Sequence, residues 1–451
     1  MTNLRDKDTA RPDTSRPDTS PRSLYRDRDY RMLWTGQTVN HVGDAVSTVA
    51  LPLLAITTLH IDALQSGSLR AAEQVTALLS VPLGVLVDRL RRRRLMVGTD
   101  LLRTVVTVLV PVAALAGFLS FPLLVLVALA MGLLDSLFSI AFSSHLPAFL
   151  SDRDRVAGTA QLGTGRFGAL TGGYALGGVL VGVVGAAGAL VVDSASFVVS
   201  ALTLLSIRRP EAAPDRPVPV DSADRDRGLA AALSGWRREM GDGARHLRTD
   251  PRLRVLALAG TGISFALSLS IAVEMLFLVQ DLRASVLGIG LVYGLPVLAG
   301  VFGSRLSIRL MRRTGPARVM RGAIVVYAPV IALPAFAPAG PLGLLLAGCC
   351  WTVLILVAST YNASANVLRQ QITPPTARGR INATIRTLTA SAKLFALLLG
   401  GLIGTLVGLR GAILAAALTM LLPTALLLSS ARLLPAPEAT QETAQEAATG
   451  R

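Results

Sequence analysis

The chain has 451 residues, of which 52% are hydrophobic and 16% are charged, whereas a typical soluble domain has about 25% charged residues. Its apolar residues stand in runs longer than 18, which indicate transmembrane helices and exclude an ordinary soluble core. The net charge of +16 is typical of nucleic-acid binding, but the basic residues lie in short segments between the apolar runs. They therefore predict orientation in a membrane and no nucleic-acid partner.

Twelve apolar segments follow along the chain, each near or above the roughly 20 residues that a helix needs to cross the hydrocarbon layer. Helices are expected because backbone exposed to lipid must satisfy its hydrogen bonds within its own segment. A polar connection at 208–252 separates the first six segments from the last six. The predicted spans are 32–59, 67–90, 95–118, 121–149, 159–184, 186–207, 253–280, 285–310, 317–338, 341–368, 380–407 and 410–432.

The spans and the polar segments together define the domain organisation. Disordered cytosolic tails are predicted at 1–28, which repeats Arg-Pro-Asp-Thr-Ser, and at 435–451. The two six-helix halves occupy 29–207 and 253–434. The linker at 208–252 contains an amphipathic helix, which is expected to lie on the inner leaflet, where anionic lipid attracts arginine.

Basic residues are distributed unequally between the two sides of the predicted bundle. The even-numbered connections carry clusters such as the four arginines at 91–94, whereas the odd-numbered connections carry only Arg70, Arg283 and Arg410. Loops rich in arginine stay in the cytoplasm. The sequence therefore predicts a multi-pass protein of the bacterial cell (inner) membrane with both termini in the cytoplasm.

Four motifs occur in the same order along the chain as in one known family. They lie at 31–37 with 43–47, at 84–93, at 193–197 and at 378–383. In these motifs the sequence resembles the major facilitator superfamily and, within it, the macrolide-efflux and enterobactin-exporter branch. The resemblance implies the major facilitator fold, an all-α membrane protein of 12 transmembrane helices in two six-helix halves.

The motif at 84–93 connects spans 2 and 3, and the resemblance implies that it gates the protein. Asp88 would face the N-terminus of span 11, whose open N–H groups carry partial positive charge, and would hold the halves together on the cytosolic side. The arginines also have a plain topogenic interpretation, and Arg91 stands where the family has a glycine. The predicted gating residues are Gly84, Asp88, Arg89, Arg92, Arg93, Gly379 and Arg380.

Ionisable residues inside the spans are the candidates for coupling to protons. A charge near the bilayer centre costs about 3 kcal/mol, so it normally faces a partner or a watery cavity. Desolvation makes a carboxylate hold its proton more tightly, which allows exchange near neutral pH. Asp44 and Asp135 are placed near mid-membrane and Glu73 nearer the outside, with Arg103 as a counter-ion. Structural ion pairs are the alternative interpretation of these four residues.

The substrate cavity is expected between the two halves at mid-depth, with a mainly apolar lining. Trp351, Tyr361, Asn362 and Asn366 of span 10 are the candidate lining residues, although helix packing explains them as well. A cavity of this kind favours small amphiphilic molecules.

These observations predict a secondary active transporter, a proton-coupled antiporter that exports amphiphilic drugs or a natural product by alternating access. Its expected partners are a small-molecule substrate, protons and membrane lipid, and it is expected to be a monomer without a cofactor. The sequence has no Walker-type loop, no metal-ligand spacing and no nucleophile–base arrangement, so neither an ATP-driven pump nor an enzyme is predicted. Two alternatives stay open: an uptake permease for a small polar solute, and a non-transporting membrane receptor or assembly protein.

Overall fold

The computed structural model describes residues 24–79, 83–84, 86–87, 90–151, 154–209, 238, 240–374, 377–430 and 433. Within these residues all regular secondary structure is helical, as predicted, and no strand occurs. The helices are α1 (Arg28–Leu59), α2 (Ala63–Val75), α3 (Arg92–Leu115), α4 (Phe121–Phe149), α5 (Arg155–Leu205), α6 (240–249), α7 (Pro251–Leu276), α8 (Val286–Thr314), α9 (Pro316–Ala332), α10 (Pro341–Ile372), α11 (Arg378–Val407) and α12 (Leu409–Ser429). Most of the predicted tails and the linker segment 210–237 lie outside the described residues.

The fifth and sixth predicted spans form one helix of 51 residues, α5, which folds back on itself. Gly185 interrupts the helix with φ 77°, a backbone conformation that glycine adopts without the strain other residues suffer. The Tyr30 hydroxyl donates a hydrogen bond to the Gly158 carbonyl, and Arg28 donates one to the Ser206 carbonyl. Both ends of α5 therefore lie beside the start of α1, so its two arms, 155–184 and 186–205, run in opposite directions.

The second predicted span begins earlier than expected and is only partly described. Asp62 and Gln65 form a capping box that starts α2 at Ala63, because each side chain satisfies a backbone N–H of the first turn. α2 continues into a 3₁₀ turn at Thr76–Leu79. Arg70 lies within α2, so counting it with the odd-numbered connections is wrong.

The described chain has ten helices that are long and apolar enough to cross a membrane. Because α5 folds back, it supplies two crossings, and α2 with its continuation corresponds to the remaining predicted span. Large apolar side chains cover the outside of the bundle, and Leu115, Val183 and Leu422 are 86%, 77% and 74% exposed. Lipid is the favourable neighbour for such a surface, because contiguous exposed apolar surface is disfavoured in water.

The two six-helix halves meet through glycines at one end of the bundle. A Cβ on Gly401 of α11 would lie 2.6 Å from the Ala63 carbonyl oxygen of α2. A Cβ on Gly178 of α5 would lie 2.9 Å from the Val286 carbonyl oxygen of α8. Only glycine permits this backbone-to-backbone approach. We call this the arginine-poor end, because the connections 60–62 and 282–285 lie here, and the opposite end the arginine-rich end.

The hydrogen bonds that join the two halves lie at one end of the described bundle. In the described residues two hydrogen bonds cross between the halves, and both lie at the arginine-poor end. Leu64 N–H donates to Thr405 Oγ1 over 3.0 Å, and Ser66 Oγ donates to the Ala272 carbonyl over 2.9 Å. In the described residues the bundle is thus closed at the arginine-poor end, and no hydrogen bond joins the halves at the other end.

Helix α6 of the linker packs on the N-terminal end of α11. A Cβ on Gly243 would lie 2.1 Å from Thr384 Oγ1, so the missing side chain lets the two helices touch. Leu247 is buried with Ile381 and Ile385 of α11. Asp242 lies 3.4 Å from the Arg380 guanidinium. This part of the linker therefore rests on the bundle itself.

Candidate functional site

A cavity of about 300 Å³ opens inside the N-terminal half, among α1, α2, α3, α4 and the second arm of α5. Its walls carry four carboxylates and two guanidinium groups, and we call it the acidic cavity. All four residues predicted for proton coupling line it. Its charged residues are Asp44, Arg70, Glu73, Arg103, Asp135 and Asp193.

Arg103 is the more enclosed of the two basic groups of the acidic cavity, with 2% of its surface exposed. Its guanidinium lies 2.6 Å from Asp135 Oδ1 and 3.6 Å from Asp100 Oδ1. The rings of Phe138 and Phe197 cover it, with centroids at 4.9 and 5.4 Å from Cζ. A guanidinium held by two acids and two ring faces is fixed in place and electrostatically compensated.

Asp100 is fully buried and was not singled out from the sequence. Its spacing of three residues from Arg103 puts both side chains on one face of α3. That spacing is the signal in the sequence from which the pair could have been found.

Asp135 connects this buried arginine to the open space of the cavity. Its side chain is 71% exposed although it stands near the middle of α4. Water that enters the cavity therefore reaches Asp135, while one of its oxygens stays bound to Arg103. The predicted counter-ion arrangement is present in this geometry, and a coupling role for the pair stays a prediction.

Asp44 differs from Glu73 in having no guanidinium partner among the described residues. Its side chain is 38% exposed, and its charged neighbour is His41 at 3.7 Å, which carries charge only when protonated. Glu73 lies 3.5 Å from Arg70, so its charge is compensated. Asp44 is thus an acid that is free to bind a proton or a cationic group from the cavity.

Asp193 is a link between helices. It accepts hydrogen bonds from Ser196 Oγ over 3.2 Å and from Ser47 Oγ of α1. Gly43 makes room for these groups, because a Cβ there would lie 2.0 Å from Ser196 Oγ. This geometry favours the structural interpretation of Asp193.

A second cavity, of about 360 Å³, lies among α2, α7, α10 and α11. Three basic residues line it, Arg369, Arg386 and Lys393, and its described lining contains no carboxylate. We call it the basic cavity. Gln74 of α2 lines both cavities, so the two are neighbours across the boundary between the halves.

The basic cavity contains three of the four predicted lining residues. Tyr361, Asn362 and Asn366 line it, whereas Trp351 lines a separate apolar cavity of about 30 Å³. Nine charged side chains line the acidic and basic cavities, so the lining has more polar groups than the mainly apolar lining that was expected. Amphipathic helices hide such residues from a hydropathy scan, since their charges point inward while leucines face the lipid.

The predicted gating residues lie at the arginine-rich end, and Asp88 and Arg89 are outside the described residues. Arg92 donates to the Ser144 carbonyl over 3.1 Å, and Arg93 donates to the Leu204 carbonyl over 2.7 Å. Both arginines thus bind carbonyls near the ends of α4 and α5 in their own half, as basic groups at helix C-termini do.

Contact across the halves by the gating motifs is absent from the described residues. Gly84 and Gly379 have open space where a Cβ would stand. Arg380 lies against Asp242 of α6. The predicted lock between the halves stays a prediction for the conformation in which this end closes.

Glu274 of α7 lies at the boundary between the halves and is 6% exposed. Its Oε1 atom has no hydrogen-bond partner, and Arg70 and Tyr293 are its electrostatic neighbours. The Tyr293 ring packs at 5.8 Å from that of Tyr174 in α5. Glu274 lies within the seventh predicted span, but its proximity to Arg70 of the other half is visible only in the folded protein.

The fold and the cavities define a multi-pass membrane protein with a charged centre between two helical halves. The family model of the Major Facilitator Superfamily matches residues 33–360 and 256–450, so the chain belongs to this superfamily. No protein of curated function matches the chain in sequence. These findings confirm the superfamily and give no support to the predicted branch.

Solved structures of the same fold include several transporters. A bacterial homologue of the iron transporter ferroportin, in the inward-facing state, has a TM-score of 0.72 and 17% identity, covering 89% of this chain and 98% of that chain. A bacterial homologue of the human lysosomal transporter Spinster, inward-facing and occupied, has a TM-score of 0.70 and 14% identity, covering 93% and 99%. The nucleoside transporter NupG has a TM-score of 0.68 and 14% identity, covering 89% and 98%. At these identities the likeness shows the fold.

Proposed function

We propose that the protein is a secondary active transporter, a proton-coupled antiporter that exports a small amphiphilic molecule by alternating access. One observation carries the proposal. Exposed carboxylates, Asp44 and Asp135, stand at mid-depth in the acidic cavity, while glycine contacts close the arginine-poor end. A site that faces one side at a time is what alternating access requires.

The acidic cavity supports proton coupling through its carboxylates. A proton on Asp135 removes the attraction that holds the Arg103 guanidinium at 2.6 Å, and a proton on Asp44 removes a charge that lacks a guanidinium partner. Protonation and substrate binding at these groups exclude each other when the substrate is cationic. Such competition is the simplest physical basis of antiport, because each ligand displaces the other from the same charge.

In the conformation in which the arginine-rich end is closed, the motif at 84–93 would lie against α11. Asp88 would then face the N-terminal N–H groups of α11 and stabilise the outward-open state. The assignment of the arginine-rich end to the cytoplasm rests on the positive-inside rule, and the branch assignment rests on the sequence motifs. Export follows if both assignments hold.

An uptake permease for a small polar solute is the second candidate. The observation in its favour is the charge of the cavity walls, with ion pairs at Arg70–Glu73 and Arg103–Asp135. A polar solute gains hydrogen bonds and charge contacts there that an apolar drug cannot use. The direction of net flux in a proton gradient separates the two candidates.

Transport by the purified protein in proteoliposomes tests the proposal. A panel of amphiphilic compounds is loaded inside, and efflux is followed with and without an imposed pH gradient, using asymmetric reconstitution to define direction. We expect efflux that depends on the gradient and is accompanied by proton entry. Gradient-driven accumulation would favour the uptake permease, and absence of flux for every compound would favour a receptor or assembly protein.

A further inference from the structure

We propose that the substrate is amphoteric, with a cationic group that binds in the acidic cavity and an anionic group that binds in the basic cavity. The inference rests on the proposed transport function and names the substrate class of that site. It starts from the opposite charge of two neighbouring cavities, one in each half, which share Gln74 in their walls.

The acidic cavity offers a carboxylate for a cation. Arg70 and Arg103 leave it with two excess negative charges when all its lining groups are ionised. Asp44 is the acid best placed for a ligand, because its side chain is partly exposed and has no guanidinium partner among the described residues. An ammonium group that enters the cavity therefore finds an acceptor whose charge no guanidinium compensates.

The basic cavity offers the complementary groups for an anion. Arg386 and Lys393 have no acidic partner among the described residues, and Arg369 is bound to the Asn366 side-chain oxygen. Tyr361 lines the same cavity and is 97% buried. Its hydroxyl makes no hydrogen bond. A buried donor of this kind is costly unless it finds an acceptor. A carboxylate of the substrate would supply that acceptor and neutralise part of the positive charge.

The two requirements are met together only by a molecule that carries both charges. A singly charged ligand would leave the charge of the opposite wall without a partner. This is costly because the effective dielectric constant of the site falls as the site closes. The cavities, of about 300 and 360 Å³, are each within the range of small-molecule sites. An amphoteric molecule can bridge them across Gln74, and because the acidic wall lies in one half and the basic wall in the other, its binding would draw the halves together.

Binding to the purified full-length protein in detergent tests the inference separately from transport. The probes are ciprofloxacin, which carries a piperazinium and a carboxylate, its methyl ester, which keeps only the cation, and its N-acetyl derivative, which keeps only the anion. Alanyl-phenylalanine, its amide and its N-acetyl form provide a second scaffold. We expect the amphoteric member of at least one scaffold to bind roughly tenfold more tightly than both derivatives, as the loss of a charged hydrogen bond implies.

Variants assign each charge to its wall. Asp44→Asn should weaken binding of the amphoteric probe and the cationic derivative and leave binding of the anionic derivative unchanged. Lys393→Gln should weaken binding of the amphoteric probe and the anionic derivative and leave binding of the cationic derivative unchanged. Asp62→Asn, at the exposed helix cap of α2, and Arg309→Gln, on the exposed surface of α8, are the matched controls. Binding of the singly charged derivatives as tight as that of the amphoteric probes, or no binding by any probe, would overturn the inference. Selective binding without proton-driven flux would refute the transport proposal alone.

Discussion

At the scale of residues, the Arg103 cluster shows how a charge is retained inside an apolar bundle. Arg103 is 2% exposed and lies between the fully buried Asp100 and the exposed Asp135. Burial of an unpaired guanidinium would be prohibitive, so the two acids are a condition for its presence. The cluster therefore joins a structural pair, Arg103 with Asp100, to a group that the cavity can reach.

Loss of Arg103 is expected to destabilise the protein. Arg103→Gln leaves Asp100 buried without a charged partner, which costs about 3–5 kcal/mol in comparable buried pairs. The free energy of unfolding, measured by denaturant titration in detergent, should fall by that order. The double variant Arg103→Gln with Asp100→Asn should recover most of the loss. Equal stability of the single variant and the wild type would show that the pair is not needed for folding.

Loss of the carboxylate at Asp44 is expected to uncouple transport while leaving the fold intact. Asp44 is partly exposed and links no helices by a hydrogen bond from its side chain in the described residues, so Asp44→Asn should leave the melting temperature nearly unchanged. Gradient-driven efflux should fall at least tenfold, because asparagine cannot take up and release a proton at this position. Asp62→Asn is the matched control, since asparagine also caps a helix. Wild-type efflux by Asp44→Asn would remove this residue from the mechanism.

The sequence predicted four charged residues of the acidic cavity and missed others for a geometric reason. Depth along a span can be read from residue number at 1.5 Å per residue, which is how Asp44 and Asp135 were found. The direction in which a side chain points depends on the packing of helices distant in the chain. Glu274 and Arg70, which lie on opposite halves, could not be placed together before the fold was known.

At the scale of elements, glycine pairs determine where the halves touch. Gly178 of α5 lies against Val286 and Gly290 of α8, whereas Gly182, one turn further along the same helix, faces open space. The many glycines of span 5 favour close helix packing in general. This pattern does not distinguish the glycines at the contact from those that face outward, because several occur on each face.

A side chain at Gly178 is expected to prevent closure of the arginine-poor end. A valine there cannot keep its Cβ 2.9 Å from a backbone oxygen, so Gly178→Val should favour the conformation open at that end. Gly182→Val carries the same helix-propensity cost without the clash. Labelling of Thr48→Cys, a cavity residue, by an impermeant maleimide should rise at least fivefold in Gly178→Val only.

This labelling uses a background in which Cys349 and Cys350 are alanine, since Cys349 is exposed. Equal labelling in the two glycine variants would contradict the assignment of the α5–α8 contact as the closed gate.

The predicted gate at the other end is tested at Asp88. If its charge holds the motif at 84–93 against the N-terminus of α11, Asp88→Asn should reduce efflux about tenfold with normal membrane insertion, because the outward-open state loses a charge–dipole contact. Asp154→Asn, a surface acid at the same end that binds Ser151, is the control. Full efflux by Asp88→Asn would defeat the gating role.

At the scale of the whole molecule, the number of crossings was predictable and the conformation was not. Length and hydropathy define each span independently of the other spans. An error at one span, such as the late predicted start of span 2, therefore does not shift the others. The closed arginine-poor end depends on contacts between helices. Both conformations of an alternating-access protein contain the same helices, but the helices are paired differently in each. Such a choice between two packings of one sequence is a small free-energy difference that no local pattern encodes.

Orientation in the membrane is the assumption on which the direction of transport depends, and it can be measured directly. Arg94 is exposed at the start of α3 and Ala339 is exposed before α10, and an odd number of predicted crossings separates them. In the background without native cysteines, Arg94→Cys should react with an impermeant maleimide only after cells are opened, whereas Ala339→Cys should react in intact cells. The expected ratio of labelling between the two positions is at least tenfold in each preparation, because the bilayer excludes the charged reagent. Labelling of both from the same side would contradict the topology, and labelling of each from the opposite side would place the closed arginine-poor end in the cytoplasm and contradict the orientation on which the proposed export rests.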